Sequence, residues 1–448
     1  MTAVTQVQQR KSDTDVFWIG KGDSVKQTQV RTFLLYFILS FCLVHSAMAT
    51  DGYFATGYGV KSQGRGGAGI AYPGDVLAAA TNPAGLMYVG DRYGMALTLF
   101  RPVRYGVIDG NQLPPGYPDV NGTYDANRVM NFVVPEFGYT RKVAPNLALG
   151  VALFGNGGMN TSYKTPIPLL GTTRGGVDLD QLFVSFAVAY RVGAHQIIGL
   201  APVVAYQRIS VEGLQNFATA SASIDPTHVT NTGYSNSYGA GVRVGWQGEL
   251  NRILSVGATY MSRTYMSRFD RYRGLFAEGG KFDIPANFAG GVAVKPNSKT
   301  VVMFDVERIL YGQIKSIANS DANQALLGAS NGPGFGWKDI TVIKTGMDYA
   351  VSRSLTVRGG YNYSELPISS SQTFFNLLAP AVTKHHLHLG TTVSFHGGRQ
   401  MSFAYVHAFE NTVYGVNSIP PAAGGGNANL RMYQNSFELS FGRAKQSQ

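Results

Sequence analysis

The chain has 448 residues, of which 44% are hydrophobic and 14% are charged, and its formal net charge is +11. No apolar run reaches the roughly 18 residues that a membrane-spanning helix requires, which excludes a helical membrane bundle. The 55 glycines and the 12% aromatic content suit strands that alternate between lipid and a crowded interior, and the basic residues are scattered without any nucleic-acid-binding module.

The first predicted element is an export signal. An apolar run from Thr32 to Val44 follows basic residues and ends at Ala47-Met48-Ala49. A basic flank, an apolar core of about a dozen residues and a small-x-small site are typical of a cleaved secretory signal peptide. We therefore predict that residues 1–49 are a signal peptide. Their polar beginning is unusually long, which suggests that translation starts further along the chain.

The next segment, residues 50–91, is rich in glycine and alanine and does not alternate as strands do. It precedes the first predicted strand. A barrel of about fourteen strands encloses a lumen too wide for wall side chains alone to fill. We predict that this segment is a hatch that plugs the lumen.

From Tyr93 onward, apolar and polar residues alternate with period two in runs of roughly ten to seventeen residues. The barrel is predicted over residues 92–442, followed by a tail at 443–448. Fourteen strands are predicted, beginning near Tyr93, Val129, Leu147, Asp178, Gln196, Asn236, Ile253, Lys281, Lys299, Asp339, Leu355, Lys384, Arg399 and Leu430.

The lengths of the connections decide the class of this β-protein, since a soluble one could share the composition. Short turns are predicted at 144–146, 193–195, 249–252, 296–298, 352–354 and 396–398. Long loops are predicted at 106–128, 164–177, 213–235, 270–280, 313–338, 369–383 and 415–429. In outer-membrane barrels short turns face the periplasm and long loops face outward. The pattern predicts an all-β, 14-stranded antiparallel transmembrane β-barrel plugged by a small N-terminal hatch.

Several motifs carry a family resemblance. The hatch contains Gly64-Arg65-Gly66-Gly67-Ala68-Gly69 and then Asn82-Pro83-Ala84-Gly85. Later motifs are Phe282-Asp283-Ile284-Pro285-Ala286-Asn287, Trp337-Lys338-Asp339 and Leu355-Thr356-Val357-Arg358-Gly359-Gly360-Tyr361. From Asp51 to Phe441 the chain resembles the FadL/TodX family of outer-membrane transporters for long-chain fatty acids and hydrophobic compounds.

The resemblance implies a transport mechanism. Ligand is captured by the outer loops, enters the barrel and leaves sideways where the third strand kinks inward, and the hatch gates this passage. Hatch gating is assigned to Asn82, Pro83, Ala84 and Gly85. The lateral kink is assigned to Gly155, Asn156, Gly157 and Gly158, because glycines weaken strand pairing and permit a bulge. The alternative is that these glycines only relieve crowding in the lumen.

Apolar residues of the outer loops are candidates for the capture groove. They are Leu214, Phe217, Ile224, Leu275, Phe276, Phe374 and Phe375, with Leu377 and Leu378 beside the last two. Burial contributes roughly 0.8 kcal/mol per CH₂, so an apolar molecule would prefer such a groove to water without any energy source. These residues could instead pack on one another.

A carboxylate ligand would need a cation in the lumen, since a buried anion requires a partner. Alternation places Arg191, Arg243, Arg263 and Arg358 on inner faces. Each could equally belong to a structural network with Glu438 or Asp348.

Other patterns do not support a cofactor or an enzyme. Gly64, Gly66 and Gly69 spell a dinucleotide-binding pattern, but no flanking strand and helix are predicted. His386 and His388 share a strand face and could bind a metal, although histidines facing a polar lumen explain the pair equally well. Cys42, the only cysteine, lies in the signal peptide. We predict no metal, no cofactor and no enzymatic activity.

The predicted function is passive uptake of hydrophobic molecules, with long-chain fatty acids as the first candidate ligand. The alternatives are an aromatic-hydrocarbon transporter, a general porin and a lipid-acting enzyme. The expected partners are outer-membrane lipids, lipopolysaccharide attracted by the basic excess, and the barrel-assembly machinery, which would read the terminal aromatic Phe441. The protein is predicted to be a monomer in the bacterial outer membrane.

Overall fold

The structure is a computed structural model that describes residues 51–444. The predicted signal peptide and the last four residues of the predicted tail lie outside the described residues. Sixteen strands belong to one sheet in the described part of the chain. They are β1 (Arg92–Asp109), β2 (Gly122–Asp125), β3 (Phe132–Ala144), β4 (Leu147–Pro166), β5 (Arg174–Val192), β6 (Gln196–Glu212), β7 (Ser235–Glu249), β8 (Leu254–Met261), β9 (Tyr265–Met266), β10 (Asn287–Val294), β11 (Thr300–Ile309), β12 (Ile340–Ala350), β13 (Leu355–Ser364), β14 (His385–Ser394), β15 (Arg399–Val413) and β16 (Asn427–Ala444).

The sheet closes on itself into a barrel. Each wall strand pairs antiparallel with the next, and β16 pairs with β1 from Arg92↔Ala444 to Asp109↔Asn427. The short strands β2 and β9 pair only with β1 and β7 and add no wall position, which leaves fourteen wall strands. Closure leaves no open sheet edge, as a lipid-embedded sheet requires. The predicted 14-stranded antiparallel barrel is confirmed.

Several predicted boundaries differ from the structure by a few residues, and the two largest differences have identifiable causes. The loop predicted at 164–177 spans only 167–173, because β4 and β5 continue pairing outward to Pro166↔Arg174. The strand predicted from Lys281 begins at Asn287, because Asp283 turns to accept the backbone N–H of Met266 at 2.8 Å. In both places the strand end is set by hydrogen bonds between distant residues. The alternation of apolar and polar residues in the sequence gives no sign of these bonds.

The wall alternates as a lipid-embedded strand requires. On β1, Met95, Leu97 and Leu99 are exposed on the outer face, while Ala96 and Thr98 are buried on the inner face. Exposed apolar side chains recur at alternate positions on the other wall strands. This outer band would be unfavourable in water and suits lipid contact.

The helices are short and lie in the hatch or the connections. In the hatch they are Val60–Gln63, Ala78–Thr81, Pro83–Gly85 and Leu86–Val89. In the connections they are Gln215–Phe217, Pro226–His228, Asp270–Tyr272, Ala277–Gly280, Tyr311–Gln313, Lys315–Ala318, Ser370–Gln372, Phe375–Leu377, His396–Gly398 and Pro421–Ala423. Within residues 51–444, no helix has the length and apolar content needed to span a membrane.

Residues 51–91 lie against the inner face of the wall, and wall glycines allow their backbone to approach closely. A Cβ at Gly360 would lie 2.1 Å from the carbonyl carbon of Arg65, and one at Gly199 would lie 2.3 Å from the backbone nitrogen of Ala84. Neither distance is possible for a real side chain, so glycine is required at these contacts. The hatch therefore packs on the wall backbone to backbone.

Candidate functional site

The outer loops form a small apolar pocket, which we call the outer slot. Four connections supply its walls, and β5 and β6 supply its base. The lining residues are Val177, Val211, Leu214, Phe217, Leu275, Phe276, Ser316, Leu327, Pro333, Gly334, Phe335, Phe375 and Leu378. Among the described residues no ionisable side chain lines this pocket. The outer slot is thus suited to apolar molecules and offers no charge to an ionic one.

The structure brings together five of the seven predicted groove residues, namely Leu214, Phe217, Leu275, Phe276 and Phe375. The other two do not line the slot. Phe374 is buried behind it and stacks on Phe375 with ring centroids 5.7 Å apart. Ile224 is 52% exposed beside Gly328, outside the slot.

No groove residue was predicted in the β11–β12 connection, which supplies Leu327, Pro333 and Phe335. Single apolar residues separated by glycines and asparagines give no clustered signal in this stretch. The aromatic pair at Phe335 and Trp337 was the one feature of this stretch that indicated an apolar contact.

A column of buried aromatic rings leads from the slot toward the hatch, and we call it the aromatic column. Trp337 lies 6.4 Å from the Phe335 ring and 5.1 Å from the Tyr311 ring. Tyr311 in turn lies 5.1 Å from the ring of Tyr53 in the hatch. Trp337 is held because its Nε1 donates to Asn376 Oδ1 at 2.6 Å. The column thus connects the slot lining to the first described residues of the hatch.

The start of the hatch joins this column to strand β4. Tyr311 Oη donates to the Asp51 carbonyl at 2.7 Å and accepts the Tyr53 N–H at 3.0 Å. On the other side, the Gly158 N–H donates to the Tyr53 carbonyl at 3.0 Å, and the Ala55 N–H donates to the Asn156 carbonyl at 3.2 Å. Residues 51–55 therefore lie between the aromatic column and the wall.

Strand β4 carries a bulge at the predicted kink. Its register with β5 shifts between Gly155 and Gly157, which leaves Asn156 as an extra residue. Asn156 is fully buried and donates to Gln181 Oε1 at 3.0 Å. A Cβ at Gly157 would lie 1.8 Å from the Tyr53 carbonyl oxygen, so only glycine admits the hatch here. The hatch therefore contacts β4 at the bulge itself.

The hydrogen-bonded ladder between β3 and β4 is interrupted beside this bulge, and we call the interruption the wall seam. The β3–β4 register ends at Phe137↔Leu153, and a bridge between the two sides recurs only at Asn127↔Ser162. Side chains fill the intervening space: a Cβ at Gly155 would lie 2.8 Å from Cγ1 of Val134. Phe100, Phe132 and Val134 cluster there with Ala55 of the hatch. The seam is closed by side chains rather than by backbone pairing.

The predicted gating residues Asn82, Pro83, Ala84 and Gly85 lie elsewhere, against β5, β6 and β7. Asn82 Nδ2 donates to the carbonyls of Ile70 at 2.8 Å and Trp246 at 3.0 Å, and its Oδ1 accepts the Ala84 N–H at 3.1 Å. Asn82 thereby fastens the hatch to β7. The structure does not bring these four residues together with the bulge.

Two of the four predicted carboxylate contacts, Arg263 and Arg358, are held by acidic side chains. Arg263 pairs with Asp283 at 2.6 Å, and Arg358 pairs with Asp348 at 3.2 Å. Arg243 donates to the Thr81 carbonyl at 3.3 Å, and Arg191 donates to the Ala194 carbonyl at 3.1 Å. Among residues 51–444 none of these four arginines lines the outer slot.

Arg243 instead lines a small polar cavity between hatch and wall, together with Asp305, Glu307 and Lys344. Lys344 pairs with Glu307 at 2.7 Å and lies 3.8 Å from Asp51. Burial raises the pKa of the Asp51 carboxyl to about 7, even though the Lys344 charge opposes the rise. One hatch carboxyl thus titrates near neutral pH.

The two lumen histidines are part of this hatch–wall contact. His386 Nδ1 lies 3.1 Å from Asn362 Oδ1, and His388 Nδ1 lies 2.6 Å from the Gln63 carbonyl. In the described part of the chain, no group of three or more His, Cys, Asp or Glu side chains could hold a metal ion.

Comparison with known proteins agrees with this architecture. The family model described as outer membrane protein transport protein (OMPP1/FadL/TodX) matches residues 46–420. The toluene transporter TodX of P. putida is 17% identical, with a TM-score of 0.65, and the alignment covers 88% of this chain and 100% of that chain. A Pseudomonas aeruginosa FadL homologue is 15% identical, with a TM-score of 0.66 over 88% and 99% of the two chains.

The Ralstonia pickettii toluene transporter TbuX is 17% identical, with a TM-score of 0.61 over 87% of this chain and 99% of that chain. At these identities the likeness concerns the fold. No curated protein sequence matches this chain.

Proposed function

We propose that this protein takes up small neutral hydrophobic molecules, which enter at the outer slot and leave at the wall seam. The chain belongs to the OMPP1/FadL/TodX family of outer-membrane transport proteins. The protein is an outer-membrane channel for hydrophobic compounds. The observation that carries the choice of ligand is the uncharged lining of the slot among the described residues. A monoaromatic hydrocarbon matches a lining of this kind because it needs no ionic partner.

Capture follows from surface burial. A hydrophobic molecule that leaves water for the slot gains free energy in proportion to the apolar area that it covers, at roughly 25 cal/mol per Å². Leu275, Phe276 and Phe335 supply such area. No energy source is required, so uptake runs down the concentration gradient.

Passage requires a change in the hatch, because residues 51–55 lie between the aromatic column and β4. The contacts to be broken there include two backbone hydrogen bonds to the bulge and two hydrogen bonds to Tyr311. The wall seam is the proposed exit, since side chains can move aside at a lower cost than a continuous β-ladder can be broken. Ligand would leave the barrel between β3 and β4.

Long-chain fatty acids are the second candidate, favoured by one observation. Lys315 directly precedes Ser316 in the slot lining, and its Nζ lies 2.8 Å from Glu278 Oε1 at the surface. A fatty-acid carboxylate could displace Glu278 while its chain occupies the slot. Under this alternative, Lys315→Gln lowers fatty-acid uptake and leaves toluene uptake unchanged.

The test is uptake of radiolabelled toluene and oleate by a transporter-deficient Gram-negative strain that expresses this protein. We expect saturable toluene uptake that is lost in Leu275→Asp, which places a charge in the slot. The matched control is Ile224→Asp, on an exposed residue outside the slot. Saturable uptake of oleate alone would select the second candidate. Uptake of neither ligand by a correctly assembled barrel would overturn both and favour a porin or a lipid-acting enzyme.

A further inference from the structure

The outer rim of the barrel carries a second feature, on the lipid side of β1, β14, β15 and β16. On β1 the exposed apolar series ends at Leu99, and the next outward residue is Arg101. Arg101 is eight residues from Tyr93 at the other rim. With a rise of about 3.3 Å per residue and a tilt near 40°, this separation corresponds to roughly 20 Å of height, close to the thickness of the apolar band of such barrels. Arg101 therefore lies at the level of the outer lipid headgroups.

Neighbouring strands add basic groups at and just above this level. Arg101 on β1 is paired in register with Asn435 on β16, and Asn435 is paired in register with His407 on β15. Further out, Arg431 is level with Tyr105 of β1, and its guanidinium covers the Tyr105 ring at 4.5 Å. Lys384 precedes β14, with its Nζ 5.6 Å from the centre of the Tyr363 ring. We call Arg101, Lys384 and Arg431 the basic rim.

The basic rim has no acidic partner. Among residues 51–444, no carboxylate oxygen lies within 4.0 Å of the charged nitrogens of Arg101, Lys384 or Arg431. The Nε of Arg431 is also buried without a hydrogen-bond partner in this part of the chain. Arg431 and Lys384 instead lie over the neutral rings of Tyr105 and Tyr363.

Two outward-facing arginines on other strands have acidic partners instead. Arg208 on β6 pairs with Asp180 at 2.8 Å, and Arg308 on β11 pairs with Glu365 at 3.4 Å. The protein thus neutralises these two cations itself and leaves those of the basic rim for an external anion. The anions available to an outward-facing side chain at headgroup level are those of the surrounding lipid.

We propose that the basic rim binds the phosphate groups of lipopolysaccharide in the outer leaflet. A guanidinium offers two parallel N–H donors to a phosphate, which an ammonium or a neutral group does not. The exposed apolar band below would contact the acyl chains of the same molecule. This surface is separate from the outer slot, and its binding does not depend on any transported ligand.

The test uses the purified full-length mature protein in mild detergent, titrated with lipid A and followed by native mass spectrometry. Arg101→Gln combined with Arg431→Gln should weaken binding by about tenfold or more, since two charge-assisted contacts are lost. The matched control is Arg308→Gln, whose arginine already has an acidic partner, and it should bind like the wild type. Equal affinity of the wild type and the double variant would overturn the proposal.

A second measurement needs no variant. Lipid A without its phosphates should bind the wild-type protein at least about tenfold more weakly than the phosphorylated form, and added salt should weaken the phosphorylated form selectively. Equal binding of both forms would overturn the proposal. Complete competition by inorganic phosphate at the same concentration would also overturn it, because the rim would then be a site for free phosphate rather than for the glycolipid.

Discussion

The two ends of the hatch are held to the wall in different ways. At β6 and β7, Asn82 donates one hydrogen bond to the wall, at the Trp246 carbonyl, and makes two more within the hatch, and the following turn packs on the glycines Gly199 and Gly245. At β4, residues 51–55 make two backbone hydrogen bonds to a bulge in a wall whose ladder is already interrupted. One end of the hatch therefore has a continuous wall behind it, and the other does not. Motion that opens a path is therefore expected at residues 51–55.

The largest effect on the β4 end of the hatch is expected for Gly157→Val. A Cβ at this position overlaps the Tyr53 carbonyl, so residues 51–55 should leave β4 while the barrel still assembles. We expect a several-fold rise in ionic conductance in planar bilayers and altered toluene uptake. The control is Gly359→Val, since a Cβ at Gly359 would meet no atom within 4 Å. Conductance equal to that of the wild type would show that residues 51–55 do not occlude the lumen.

The opposite end of the hatch is tested by Asn82→Ala. The change leaves the carbonyls of Ile70 and Trp246 without their donor, which should weaken hatch docking by roughly 3 kcal/mol. Hydrogen exchange of the hatch amides should accelerate accordingly. Asn297→Ala, at an exposed turn, serves as the control. If exchange stays slow in Asn82→Ala, this end of the hatch is not fastened by Asn82.

Docking of the β4 end of the hatch should depend on pH, because Asp51 lies at that end. Its pKa is about 7 when docked and near 3.9 when exposed to water, so its contribution to docking is full below about pH 4 and is lost as the pH rises through 7. Docking should weaken by roughly 2 kcal/mol between pH 5 and pH 8. Conductance measured across this range should rise in the wild type and stay flatter in Asp51→Asn. The same rise in Asp51→Asn would assign it to another group.

A smaller effect is expected at the aromatic column. Trp337→Phe keeps the ring contacts but removes the hydrogen bond to Asn376, at a cost of about 1 kcal/mol, with Asn376 left buried. Toluene uptake should fall modestly while thermal stability of the barrel is nearly unchanged. Trp246→Phe, on the outer face of β7, is the control. Equal uptake by both variants and the wild type would show that the column does not position the slot lining.

Features that depend on residues close together in the sequence could be predicted, and features that join distant residues could not. The wall strands were predictable because alternation records which face each residue presents, and five slot residues were predictable because apolar clusters in long loops are visible locally. The aromatic column was not, since Tyr53, Tyr311 and Trp337 are distant in sequence and no local pattern joins them. The strand start at Asn287 was misplaced because a side-chain contact from Asp283 ended the preceding turn.

The sequence by itself determined that this chain forms a closed, lipid-facing barrel, because period-two alternation and a regular series of short and long connections depend only on neighbouring residues. It also predicted a glycine-rich hatch segment. The tertiary structure alone decided where the hatch touches the wall, where the β3–β4 ladder stops and which rim cations lack an acidic partner. These features depend on strand register and on backbone approach between distant segments, for which the amino-acid sequence carries no local periodic signal.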